Sequence, residues 1–170
     1  MIVLLFVYLL AMVCWLGSII FFSFFTAPVI FTTLARSDAG KVVAVIFPRY
    51  YILGYVAGGL ALVIAIYFTI VSRGGSRGIY FTVISRGSRG WWAATVIAIA
   101  IAVGCTFYAG MVVRPRVDAI RSVSEEQNPD PARKAEFDYL HQLSVMLNGA
   151  VLMLDLIALF GTAAALAPRG

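Results

Sequence analysis

The sequence predicts an all-α integral membrane protein, a four-helix bundle whose fourth helix is partly extramembrane. Three observations carry that reading. Of 170 residues, 62% are apolar and only 12% are charged, and the mean hydropathy is +0.95. A soluble domain carries about a quarter charged residues and could not bury this much apolar surface in so small a core. The few charges are also segregated, leaving four runs that each reach the roughly 20 residues a helix needs to cross hydrocarbon. The whole chain is therefore read as a single four-span domain.

The first run, residues 1–35, contains no ionic side chain. It lacks a basic leading region and exceeds a signal-peptide core, so it is read as a span over about 2–33. Pro28 is expected to kink or end it, just after an aromatic band of Phe21, Phe22, Phe24 and Phe25. The second span is placed over about 50–72, the third over about 91–113 and the fourth over about 139–167, the last interrupted only by Asp155. Tyr50, Tyr51, Trp91, Trp92 and Tyr139 stand at their starts, where amphipathic rings favour the headgroup boundary.

The fourth helix should begin before the bilayer. Asn128-Pro129-Asp130-Pro131 supplies a break, an N-cap aspartate and a proline at the first helical position. Its first two turns would then project into water. In the same loop Val117, Ile120 and Val123 recur at helical spacing among charges, which predicts a short amphipathic helix near the surface.

Between spans two and three the segment 67–78 is echoed by 80–90, a short tandem duplication that leaves a Gly/Ser/Arg loop. A unit of a dozen residues is too short for a solenoid. Orientation is ambiguous on charge. Arg73, Arg77, Arg86 and Arg89 share a side with Arg169, five basic residues against eight on the opposite side. The smaller set is denser and free of acids, and on that ground both termini are placed in the cytoplasm, in the bacterial inner membrane.

The net charge of +5 does not indicate a nucleic-acid partner. The basic residues lie in loops between apolar runs and form no patch interleaved with aromatics. Anionic headgroups are the better match, so membrane lipids and other membrane subunits are the expected partners. Cys14 and Cys105 sit in apolar runs without metal or redox spacing and are read as small hydrophobes.

One constellation could carry chemistry. His141, Asn148, Asp155 and Thr162 recur every seven residues, with Ser144 one turn after His141, so all five project from one face of the fourth helix. A polar stripe in an apolar span must turn away from lipid. It either ties helices together through interhelical hydrogen bonds, with Asp155 protonated or accepting bonds from neighbours, or it lines a path for a proton or cation. His141 is the only histidine. One copy cannot build a bis-histidine haem site, although a single axial ligand to haem or chlorophyll is conceivable; a lone histidine at a helix entrance is more often simply hydrogen-bonded.

Small residues mark packing faces: Gly54 and Gly58 in span two, and Ala94, Ala98 and Ala102 in span three. Such spacing lets helices approach closely where lipid supplies no hydrophobic drive. The sequence contains no P-loop, nucleophile elbow or HExxH, and no pair of carboxylates in one span, so it is read as non-enzymatic.

Trp15-Leu16-Gly17, Thr26-Ala27-Pro28, Phe31, Ala39-Gly40, Phe47-Pro48-Arg49-Tyr50-Tyr51, Arg114-Pro115, Leu140-His141, Ser144 and Asn148 together resemble the bacterial membrane domain of unknown function that is related to eukaryotic transmembrane protein 205. That resemblance implies a compact four-helix membrane protein without established activity and supplies no catalytic residues. The duplicated loop departs from the compact second loop such a family would have. The expected role is a packing or accessory subunit of a larger respiratory or photosynthetic membrane complex; the rival is a small carrier or channel for a proton, metal ion or small solute along the stripe.

Overall fold

The computed structural model describes residues 1–73, 89–124 and 131–167. The duplicated Arg/Gly/Ser loop and the Asp130 cap lie outside them. Among the described residues all regular structure is helical, in the order α1 (Ile2–Ile20), α2 (Ala27–Thr33), α3 (Arg36–Arg73), α4 (Arg89–Tyr108), α5 (Arg114–Ser124) and α6 (Pro131–Leu166). A π-helical turn, Phe21–Thr26, joins α1 to α2, and a second, Ala109–Val113, joins α4 to α5. Four stretches are long and apolar enough to cross a membrane: Ile2–Thr33, Ser37–Val71, Gly90–Ile120 and Pro131–Leu166.

Each π turn stands immediately before a proline. Thr26 closes the first turn two residues before Pro28, and Val113 closes the second two residues before Pro115. A proline cannot donate to the carbonyl four residues back and its ring crowds that carbonyl. The carbonyls concerned, of Phe24 and Met111, lie inside the π turns, where the wider coil gives them room. Pro28 therefore neither ends the first span nor breaks it, because the helix widens and continues to Thr33.

The helices run past the apolar stretches that mark them. α3 has 38 residues and starts at Arg36, carrying Asp38, Lys41 and Arg49 on its leading end and Pro48 within it. Lys41 Nζ meets Asp38 Oδ1 at 3.3 Å, and Arg49 donates to the Val45 carbonyl at 3.0 Å. The amphipathic segment is likewise no separate element. α5 continues from α4 through the π turn, carries an Arg114–Asp118 ion pair of 3.4 Å, and packs against α6. At about 1.5 Å per residue the 36 residues of α6 extend roughly 54 Å, against about 30 Å of hydrocarbon, so its leading turns project from the bilayer.

α4 packs on α6 and on α3, α1 packs on α3 and on α6, and the four spans close into a bundle. Its core joins Tyr8, Met12, Trp15 and Ile19 of α1 to Ala61, Ala65 and Phe68 of α3, Trp92, Ile99 and Ala102 of α4, and Val151 and Ala158 of α6. Large apolar side chains cover the outside, among them Phe21, Val63, Met111 and Phe160. Lipid is the medium for which that exterior is suited.

The aromatic residues divide differently from a boundary belt. Trp91 and Tyr139 are exposed, whereas Trp92 and Tyr51 are buried. Tyr50 and Tyr51 lie more than three turns into α3, past the charged residues of its leading end. Cys14 is exposed on the outer face of α1, and Cys105 is partly buried.

Candidate functional site

The polar stripe of α6 descends from the rim of the bundle to its centre. His141 is exposed and stacks on Phe137 with ring centroids 6.3 Å apart and planes nearly parallel. Ser144 and Asn148 are half-buried, while Asp155 and Thr162 are fully enclosed. The seven-residue repeat thus places successive polar groups about 10.5 Å apart along one face, deeper at each step.

Two of these groups close hydrogen bonds between helices. The Tyr50 hydroxyl of α3 donates to Asn148 Oδ1 at 2.5 Å, and Asn148 Nδ2 donates to Ser23 Oγ in the first π turn at 2.9 Å. Asn148 thereby ties α6 to both α3 and the end of the first span. Toward the other end, Thr162 Oγ1 donates to the Ala158 carbonyl at 2.8 Å, so the Tyr8 hydroxyl, 2.7 Å away, is the donor in the Tyr8–Thr162 bond. Ser144 donates to its own helix, to the Leu140 carbonyl at 3.0 Å.

Asp155 lies midway between these two ties. It is 0% exposed, and neither carboxyl oxygen has a hydrogen-bond partner among the described residues. The phenols of Tyr8 and Tyr50 stand within electrostatic reach of it from either side. Buried polar groups are nearly always satisfied, which makes an orphaned carboxyl in the middle of a span the most unusual feature of the molecule.

Above Asp155 a small cleft opens among α1, α3, α4 and α6. Ser18, Tyr50, Thr106, Ser144 and Asn148 contribute polar groups to a mostly apolar lining that includes Trp15, Cys105 and Val151; its cavity of about 10 Å³ holds roughly one water. Val151 is the last residue of α6 in its wall, and Asp155 follows it by one helical turn, about 6 Å along the axis.

Gly54 and Gly58 serve this region in an unexpected manner. A Cβ at Gly58 would lie 2.7 Å from Trp15 Cη2, and one at Gly54 would lie 3.3 Å from Trp15 Nε1. The glycine pair makes room for the Trp15 indole and, beside it, for Thr106 and Val103 of α4. On α4, Ala98 and Ala102 are buried, but Ala94 is exposed. A strict four-residue spacing drifts about 40° per step around a helix. The packed face instead follows Trp92, Thr95, Ile99, Ala102 and Thr106, in steps of three and four. Trp15, Tyr8, Tyr50 and Gly110 are participants that the stripe pattern alone does not reveal; Trp15 and Tyr50 stand in the motifs that carry the family resemblance, whereas Tyr8 and Gly110 show only as a polar or small residue within an apolar run.

No group of three or more His, Cys, Asp or Glu side chains is placed to hold a metal ion among the described residues. What the arrangement offers is a central carboxyl, two phenol ties and a cleft on one side. The fold and this interior define a multi-pass helical membrane protein.

The chain belongs to the DUF4149 family, a domain of unknown function whose model matches residues 10–126. A 47-residue stretch is 49% identical to an uncharacterised protein of Aquifex aeolicus (strain VF5), covering 28% of this chain and 34% of that relative. The match therefore spans about a third of the relative's length. No solved structure matches the chain.

Proposed function

We propose that this protein is a non-enzymatic helical subunit of the bacterial cytoplasmic membrane, both termini inside, packing against lipids and other membrane proteins as an accessory component of a larger respiratory or photosynthetic complex. The observation that supports this reading is how the polar stripe is used: Asn148 and Thr162 are engaged in interhelical bonds, and the exterior left for neighbours is apolar. Kinship with eukaryotic transmembrane protein 205 is part of the same proposal and rests on the motifs from Trp15-Leu16-Gly17 to Asn148. Mild-detergent extraction from native membranes tests the role. Co-migration with a larger assembly is expected, and migration as an isolated chain at every detergent concentration would refute it.

A second reading, a small carrier or channel for a proton, metal ion or small solute along the stripe, is favoured by Asp155, which has no hydrogen-bond partner among the described residues. Flux in liposomes holding the purified chain, compared with Asp155→Asn, decides it: equal flux in both sinks the carrier.

A further inference from the structure

We propose that Asp155 is a proton-binding site reached from one face of the bundle only, through the cleft beneath the His141 end of α6. The proposal rests on the second reading to the extent that Asp155 is an acting group, but it requires no transport.

The choice of ligand follows from the surroundings. A metal cation held by one carboxylate still needs several further oxygen ligands, and Asp155 lacks even a hydrogen-bond partner among the described residues. A proton needs one oxygen and nothing else. A bare carboxylate charge in this core would be costly, and its gain and loss of a proton is the chemistry that the site can support.

The titratable groups within electrostatic reach of Asp155 from the other helices are few. α1 contributes Tyr8, bonded to Thr162, and α3 contributes Tyr50, bonded to Asn148. The inward face of α4 is uncharged, with Thr95, Ile99 and Thr106 buried and Cys105 on the cleft wall. On α6 itself His141 is about 21 Å away along the axis. No fixed cation balances the carboxylate among these, so a proton must be exchanged with water.

Access is asymmetric. On the His141 side the partly polar cleft is lined as far along α6 as Val151, one helical turn before Asp155. On the other side the Tyr8–Thr162 bond is backed by an aromatic plug: Trp92 packs edge-on to Tyr8 at 6.1 Å and against Phe68 at 4.9 Å, and all three rings are at most 2% exposed. Water that reaches Ser144 and Asn148 stands about one helical turn of α6 beyond Val151 from Asp155, while water from the far side meets a closed aromatic layer.

Infrared difference spectroscopy of the full chain in lipid, between acid and alkaline pH, reads the site directly. A carboxylic C=O band that disappears on raising pH is expected, missing in Asp155→Asn and retained in Asp38→Asn. Should Asp155→Asn fail to fold, Asp155→Glu identifies the band by its displaced frequency. The route is tested with native Cys105: in a Cys14→Ser chain, capping Cys105 with a methanethiosulfonate should slow deuterium exchange of the band about tenfold, whereas capping Cys14 in a Cys105→Ser chain should not. A band that is absent, or that stays unchanged at every pH the bundle survives, overturns the proton site. Exchange indifferent to the Cys105 cap overturns the route. Absence of flux with a titrating band sinks the carrier alone.

Discussion

Tyr8 and Thr162, 154 positions apart in the chain, share a buried hydrogen bond of 2.7 Å that fastens the first helix to the last. Interhelical bonds of this kind contribute about 0.6 kcal/mol on average and up to about 1.7. Tyr8→Phe keeps the ring against Trp92 and removes only the donor. It should cost an amount in that range in reversible unfolding from bicelles, with Thr162→Val adding little further because both report on one bond.

Trp15 occupies the slot left by Gly54 and Gly58. Gly58→Ala places a methyl 2.7 Å from the indole, an overpacking that should destabilise the bundle by about 1–3 kcal/mol. Trp15→Phe in the same chain should recover part of the loss. Strictly additive effects in that double-mutant cycle would mean that the two residues do not touch.

Gly110 and Gly104 lie less than two turns apart and should respond in opposite ways. A Cβ at Gly110 would collide with the Tyr55 hydroxyl and the Tyr51 ring, while one at Gly104 meets nothing within 4 Å. Gly110→Ala should lower the thermal midpoint in detergent clearly. Gly104→Ala should leave it unchanged or raise stability by up to about 1 kcal/mol through helix propensity.

The bundle also dictates which positions meet lipid. Val63 and Phe160 are 66% and 67% exposed, whereas Ala61 and Ala158 are fully buried. Nitroxide labels at the first pair, in a chain without native cysteines, should collide freely with dissolved oxygen in the bilayer; labels at the second pair should collide little or prevent folding. Equal oxygen collision rates at all four sites would be incompatible with this packing.

Much of this architecture is legible in the sequence. Runs without charge identify the spans because hydrocarbon thickness imposes a minimum length, and the seven-residue polar repeat identifies the buried face of α6. Helix ends are less legible: Lys41 and Arg49 end an apolar run, yet the backbone bonds of α3 continue beneath them, since helical hydrogen bonding does not depend on side-chain charge. Trp92, Tyr50 and Tyr51 sit where boundary aromatics belong but point inward, because a ring's direction depends on helices far away in sequence. The partners of Asn148 are 98 and 125 positions distant, and no local pattern encodes them.

The indole seated over Gly54 and Gly58 has a consequence for association. The notch through which small-residue helices ordinarily grip a sibling is already filled from within the molecule. A companion helix seeking that notch would first have to expel the indole, so a sibling of this chain must be gripped elsewhere on the bundle.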